Sequence, residues 1–245
     1  MNYKIKKFSA LFVLVFLQLN IFAAAETFFS AGTKAYEAGQ FELAAQSFSE
    51  SLAAQPAAGT LINLGLANWR SGHNGEAILA WEQASWLNPF AEAANENLSY
   101  ARETVFINPP DLNWFEQTST WLPANVWTWL AGGSLWLAVG FLTLPGFFRR
   151  RKTGWHQTVA ALAFGVCLLS LAPSAGIITR SKIAIVIDKN ASLKLTPTQS
   201  AEIISSLPAG EAVRELRRRG NYFFVHTQTG DGWIEGREIK FICPR

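Results

Sequence analysis

The sequence predicts a multidomain membrane protein, in which an α-helical repeat segment, two transmembrane helices and a small all-β domain follow one another. Three observations lead to this prediction. Two long runs contain no charged residue, small and aromatic residues recur at an interval of 33 positions, and the last part of the chain alternates short β-branched or aromatic segments with turn residues. Each of the three parts is therefore expected to form a different kind of structure.

Composition separates this chain from several classes of protein. Hydrophobic residues make up 49% of the 245 residues and charged residues 16%, against about 25% charged in an average soluble domain. This argues against a disordered chain and against a purely soluble one. The net charge of +3 is too small to indicate nucleic-acid binding, and two cysteines exclude a disulfide-dense scaffold.

Residues 1–25 are predicted to be a signal peptide. Three lysines precede an apolar run over 8–22, and three alanines follow it at 23–25. The run of 15 residues is short for a membrane span, and small residues before Glu26 suit a signal peptidase. An uncleaved anchor helix is the alternative. Either way, the chain after Glu26 is expected outside the cytoplasm.

Two transmembrane helices are predicted at 124–148 and 155–178. Residues 117–148 carry no charge, several tryptophans lie at the start of the first helix, and the apolar core of the second is 20 residues long. Such runs can cross a hydrocarbon layer of about 30 Å, and tryptophans are enriched where helices enter it. A core helix of a soluble protein is the alternative for each.

The loop 149–154 between these helices contains four consecutive bases, Arg149–Lys152, and no acid. Short basic loops stay in the cytoplasm. Since the signal peptide and the loop agree on orientation, residues 26–123 and 179–245 are both expected on the outer side. The predicted location is therefore a bacterial inner membrane, with two spans and two periplasmic domains.

The acidic segment 26–123, with a net charge of −8, contains an internal repeat. Residues 28–56 align with 61–89, and residue class is kept at five pairs of positions 33 apart: Gly32/Gly65, Gly39/Gly72, Ala44/Ala77, Phe48/Trp81 and Pro56/Pro89. Small residues allow two helices to approach, glycines permit the turn between them, and prolines end the second helix. Such helix pairs bury their apolar faces only by stacking.

These residues resemble the tetratricopeptide repeat over 26–106. The second copy matches best, through Asn63-Leu64-Gly65 and Leu87-Asn88-Pro89, and a third copy from Glu92 to about Thr104 is expected to be the capping helix. A Pro-containing linker, 107–123, follows. The resemblance implies that the first helix of each repeat lines a partner-binding face, carrying Phe29, Thr33, Tyr36, Ile62, Leu66, Trp69, Arg70 and Tyr100. Ordinary core between repeats is the alternative for these side chains.

The C-terminal segment, 179–245, is predicted to contain about five short strands and to form a small barrel. Its landmarks are Leu193–Pro197, Leu207–Glu211, Tyr222–Val225 and Asp231–Ile234. In this order they resemble a bacterial SH3 domain. Some domains of this kind bind cell-wall polymers, so the resemblance implies peptidoglycan as an alternative ligand.

No motif for a nucleotide, a metal or a catalytic nucleophile is present in the sequence. The three histidines lie in three different segments, each without a second histidine or a cysteine beside it. We therefore assign no catalytic, cofactor-binding or metal-binding residue, and we expect a protein that is not an enzyme.

The order of these parts along the chain resembles the tetratricopeptide protein of bacterial aerotolerance (Bat-type, BatE-like) operons. The resemblance covers nearly the whole chain but rests on architecture. It implies a non-enzymatic scaffold or adaptor in stress tolerance or envelope maturation. The partners that it implies are membrane-anchored von Willebrand A-domain proteins and a MoxR-type ATPase system. Membrane lipid is the other expected contact, and nucleic acid is not expected.

Overall fold

The computed structural model describes residues 23–147 and 154–243, without the side chains of 144–147. Most of the predicted signal peptide and the basic residues Arg149–Lys152 lie outside these ranges. Helix α1 covers 23–37 and therefore runs through the predicted processing point before Glu26. The hydroxyl of Ser51 donates a hydrogen bond to the Ala25 carbonyl at 2.8 Å, so these first residues pack with the rest.

Four further helices continue the N-terminal part: α2 Phe41–Ala54, α3 Ala58–Arg70, α4 Asn74–Leu87 and α5 Glu92–Val105. The pairs α1/α2 and α3/α4 repeat the same arrangement at the predicted interval. Gly39 and Gly72 make the turns within the pairs with φ of 74° and 77°, a left-handed conformation that favours glycine. The helix pairs expected from the repeat are therefore present.

Close helix packing within each pair depends on a glycine facing an aromatic ring. A Cβ at Gly32 would lie 2.7 Å from the Phe48 ring, and one at Gly65 would lie 2.6 Å from the Trp81 ring. Real Cβ atoms do not approach other atoms so closely, so a larger residue at either position would push the helices apart. Phe48 and Trp81 are both buried.

Three helices follow: α6 Trp114–Ser119, α7 Ala124–Phe147 and α8 Gly154–Arg180. The short helix α6 lies inside the predicted linker and begins with the Asn113 backbone N–H donating to the Glu116 carboxylate at 2.9 Å. Helices α7 and α8 pack against each other. Both are long and apolar enough to cross a membrane.

The C-terminal strands form one antiparallel sheet: β1 Ile183–Val186, β2 Ala191–Lys194, β3 Ile203–Leu207, β4 Ala212–Arg219, β5 Tyr222–Thr227, β6 Gly230–Glu235 and β7 Ile239–Phe241. Their order is β3-β2-β6-β5-β4-β1-β7. The prediction of about five strands and a small barrel needs correction, because seven strands form an open sheet. The three-residue β7 pairs with β1 and β3 pairs with β2, so the end strands do not meet.

The helices and the sheet share one hydrophobic core. Ile78 and Trp81 of α4 and Leu98 of α5 belong to the same buried cluster as Ile183 and Ile185 of β1. At the start of α4, a Cβ on Gly75 would lie 2.8 Å from the Ile187 Cα. Nothing in the sequence patterns indicated that the two parts pack together.

Polar contacts reinforce this junction. The Gln83 side-chain amide donates to the Phe241 carbonyl at 3.2 Å. The Asn108 amide donates to the Gln228 side chain at 2.7 Å. Helices and sheet are thus joined both through buried apolar side chains and by hydrogen bonds at the edge of the shared core.

An ion pair joins α6 to the sheet. The Arg214 guanidinium of β4 donates to both carboxylate oxygens of Glu116 at 2.6 and 2.9 Å, and also to the Asp111 carbonyl at 2.8 Å. Glu116 is fully buried. Burial alone would raise the pKa of its carboxyl, but the hydrogen bonds from Arg214 and from the Asn113 backbone outweigh burial and hold the pKa below its usual range.

Arg180, the last residue of α8, connects that helix to two other elements. Its guanidinium donates to the Ser119 hydroxyl of α6 at 3.1 Å. The Arg180 Cζ also lies 4.8 Å from the centre of the Trp86 ring in α4, within the range of a cation–π contact. The helical repeats, α6 and the sheet therefore gather at one end of the α7/α8 pair.

Candidate partner-binding surface

The predicted surface residues of the repeats lie on α1, α3 and α5, the first helix of each pair and the single helix that follows. Three of them on α3, Ile62, Leu66 and Trp69, lie 33 positions after Phe29, Thr33 and Tyr36 on α1. They occupy equivalent places in the two pairs, yet the structure gives them different surroundings.

On α1 these side chains are half-buried within the first helix pair. The Phe29 ring lies 5.7 Å from the Phe48 ring, and the Tyr36 ring meets Phe41 edge-on at 5.3 Å. The Thr33 hydroxyl donates to the Phe29 carbonyl at 3.1 Å. These contacts describe packing inside one helix pair more than a surface open to a partner.

On α3 and α5 the aromatic residues form a row that runs from the core to solvent. Trp69 is half-buried, with its ring 5.9 Å from buried Trp81 and 6.1 Å from Tyr100. The Tyr100 side chain is 62% exposed. Leu66 packs beside Trp69 against the shared core. The row of Trp81, Trp69 and Tyr100 presents a rigid aromatic edge to solvent.

The remaining two predicted residues lie apart from this row. Arg70 is exposed at the end of α3. Ile62 packs against a separate buried cluster that contains Leu61, Ala84 and Ala94. The structure thus brings Leu66, Trp69 and Tyr100 together and leaves the α1 residues in another cluster.

An open groove of about 580 Å³ lies along α5 and the chain that follows it; its lining residues are Asn95, Leu98, Ser99, Arg102, Glu103, Phe106, Ile107, Asn108 and Pro109. Sequence reasoning missed this groove. Its signal was available, because Asn95, Ser99 and Arg102 lie 33 positions after Ile62, Leu66 and Trp69. The Phe106 side chain is 95% exposed, and its backbone adopts the left-handed conformation with φ of 56°.

Of the two charged residues that line this groove, Arg102 and Glu103, the first is compensated by an ion pair. Arg102 forms an ion pair with Glu82, which is buried beneath it. Burial raises the pKa of the Glu82 carboxyl, and the attraction of Arg102 and Arg180 only partly offsets the effect. Because Arg102 is held by Glu82, the groove offers a partner mainly amides, hydroxyls, the exposed Glu103 carboxylate and the exposed Phe106 ring.

A second cleft, of about 440 Å³, lies on the sheet; its lining residues are Gln199, Arg218, Asn221, Tyr222, Phe223, Glu235, Gly236 and Arg237. Glu235 is held by Lys194 at 2.9 Å. A hydrogen bond from Lys194 lowers the pKa of the Glu235 carboxyl. The Arg237 guanidinium pairs with Glu235 at 2.8 Å but stays 79% exposed, and the Arg218 guanidinium lies 5.2 Å from the centre of the Phe223 ring. Their outward faces could still bind carboxylates.

Metal binding finds no support in the described ranges 23–147 and 154–243, where no three His, Cys, Asp or Glu side chains come together as ligands. Comparison of the chain with protein-family models, with curated proteins and with solved structures gives no match.

Proposed function

We propose that this chain is a non-enzymatic inner-membrane scaffold whose periplasmic helical repeats bind partner proteins. The helix pairs with their 33-residue interval support a short tetratricopeptide array, closed by α5. The observation that carries the proposal is the row of Trp81, Trp69 and Tyr100, which ends in solvent as a rigid aromatic edge. Exposed aromatic anchors are the residues that contribute most to protein interfaces.

The partners proposed are those of a Bat/MoxR-type stress-tolerance or envelope-maturation system: membrane-anchored von Willebrand A-domain proteins and a MoxR-type ATPase. The test is to produce the full chain together with an A-domain protein encoded beside it and to purify the complex from detergent extracts. Co-purification at a fixed ratio is expected. Failure to bind any A-domain protein, with the chain folded, would contradict the proposal.

Trp69→Ala is expected to weaken capture of the A-domain partner by about 30-fold, because truncating a central interface aromatic costs ~2 kcal/mol. Tyr100→Ala is the companion variant. Because Tyr100 is exposed, its truncation should change the free energy of unfolding by no more than ~0.5 kcal/mol. Capture and thermal melting of the full chain are measured together. If Trp69→Ala lowers the free energy of unfolding by ~3–5 kcal/mol, Trp69 is a core residue instead.

Both soluble parts are proposed to face the periplasm, with the basic loop in the cytoplasm. The contact between the helices and the sheet supports a common side, and two apolar helices between them require it. Alkaline phosphatase fused after residue 110 or after residue 245 is expected to be active, and fused after residue 152 inactive. Fluorescence of a cytoplasmically folded green fluorescent protein fused at residue 245 would contradict the two-span topology.

A second candidate function is peptidoglycan binding by the sheet, which we propose is an SH3-like domain. The cleft beside Tyr222, with Arg218 and Arg237 on its rim, favours it, because arginines suit the carboxylates of peptide stems. The full chain in detergent is sedimented with purified cell walls. Arg237→Ala should abolish sedimentation, while Arg217→Ala, on an exposed residue outside the cleft, should not.

A further inference from the structure

The direction of α4 relative to the end of α8 is set by contacts at both ends of α4. Gly75, near its start, lies against the backbone of Val186 and Ile187. Trp86, near its end, lies beneath the guanidinium of Arg180. Since Arg180 ends α8, the turn that follows α4 lies at the level where a membrane-spanning α8 would leave the hydrocarbon.

Helix α6 lies at nearly the same level. Gly176 of α8 packs so closely on α6 that a Cβ there would lie 2.8 Å from the Phe115 carbonyl carbon. Gly176 precedes Arg180 by four residues, which is about 6 Å along an α-helix. Helix α6 is therefore placed beside the last turn of α8, at the depth of lipid headgroups.

Large apolar side chains are exposed at this level. Phe90, in the turn after α4, is 64% exposed. Trp114, the first residue of α6, and Trp121, two residues after its end, are 69% and 63% exposed. Leu87, the last residue of α4, is exposed as well. Single exposed apolar residues are ordinary. Here four of them share one level with the end of a candidate span, where tryptophan is enriched in membrane proteins.

We propose that the turn after α4 rests on the lipid bilayer together with α6, so that the helical repeats contact the membrane surface with the C-terminal end of α4. The contact surface consists of Leu87, Phe90, Trp114 and Trp121. Lipid is the occupant because Trp121 lies three residues before α7, whose exterior carries exposed apolar side chains such as Trp129. Exposed Lys182, two residues after the end of α8, can meet lipid phosphates at the same end. The inference rests on the proposed membrane anchoring.

The consequence is a fixed orientation of the repeats. The turn between α3 and α4, at the other end of α4, points away from the surface formed by Phe90. The edge formed by Trp69 and Tyr100 is then held at a fixed height above the bilayer. A membrane-anchored partner would meet it at that height.

The test places a bimane label at single cysteines in the full chain, with Cys167 and Cys243 replaced by serine. The chains are reconstituted in nanodiscs of phosphatidylethanolamine and phosphatidylglycerol that contain a lipid with a doxyl quencher high on its acyl chain. Labels at Phe90→Cys and Trp114→Cys are expected to lose about half of their fluorescence, as interfacial side chains would. A label at His73→Cys, at the far end of α4, should be unaffected.

A label at Leu169→Cys, on the exposed face of α8, separates the inference from the proposed function. Quenching at 169 without quenching at 90 and 114 would overturn the inference and leave the membrane spans standing; those side chains would then face water or another protein. Equal quenching at 73 and 90 would also overturn it. An unquenched label at 169 would overturn the spans themselves, and the inference with them.

Discussion

Trp81→Ala is expected to lower the free energy of unfolding by about 3–5 kcal/mol, the range for truncating a buried aromatic residue. The Trp81 side chain is 1% exposed, and its indole N–H donates to the Ile62 carbonyl at 3.2 Å. The substitution therefore leaves a cavity beneath Gly65 and removes a hydrogen bond at once.

The loss is expected to reach the sheet as well as the helices, because Trp81 lies in the same core as Ile183 and Ile185. Hydrogen exchange read by mass spectrometry checks this. Amides of β1 should exchange faster in Trp81→Ala together with those of α4. Tyr100→Ala is the control and should change neither. If β1 keeps its protection while α4 loses it, the helices and the sheet are independent units.

Arg214→Ala is expected to cost about 3–5 kcal/mol at neutral pH, because removing one partner of a buried ion pair leaves an uncompensated charge. The carboxylate left behind belongs to Glu116, which is fully buried between α6 and the sheet. Arg217→Ala, on an exposed neighbour in β4, is the matched control. The double variant with Glu116→Ala should be less destabilised than the sum of the two single variants.

The pH dependence of the same variant has a definite sign. In the natural chain the pKa of Glu116 lies below the unfolded value of about 4.3. Its stabilising contribution is therefore present above that value and is lost as pH falls through the folded pKa. Without Arg214, burial becomes the dominant effect and raises the pKa, so the variant regains stability on acidification.

Thermal melting between about pH 4 and 7 should therefore show the gap between the natural chain and Arg214→Ala widening as pH rises. A gap of constant size over this window would mean that Glu116 is not the titrating group whose charge Arg214 compensates.

Local patterns in the sequence determined the elements of this protein. Uncharged runs predicted helices over 124–148 and 155–178, close to α7 at Ala124–Phe147 and α8 at Gly154–Arg180. The 33-residue interval predicted helix pairs in which Gly65 allows two helices to approach closely, and the structure has Gly65 against the Trp81 ring. These predictions succeed because helix turns, helix periodicity and close packing within a helix pair depend on residues near one another in the chain.

The tertiary structure alone decided how the parts combine. Glu116 and Arg214, which are 98 positions apart in the sequence, form an ion pair. The shared core joins α4 to β1, although α7 and α8 lie between these two elements in the sequence. The end strands of the sheet stay apart, although the landmarks suggested a small barrel. The groove along α5 is formed partly by a proline-containing segment without periodicity. Contacts between distant residues leave no repeating signal in the chain, since they depend on which buried faces fit together and not on spacing along the sequence.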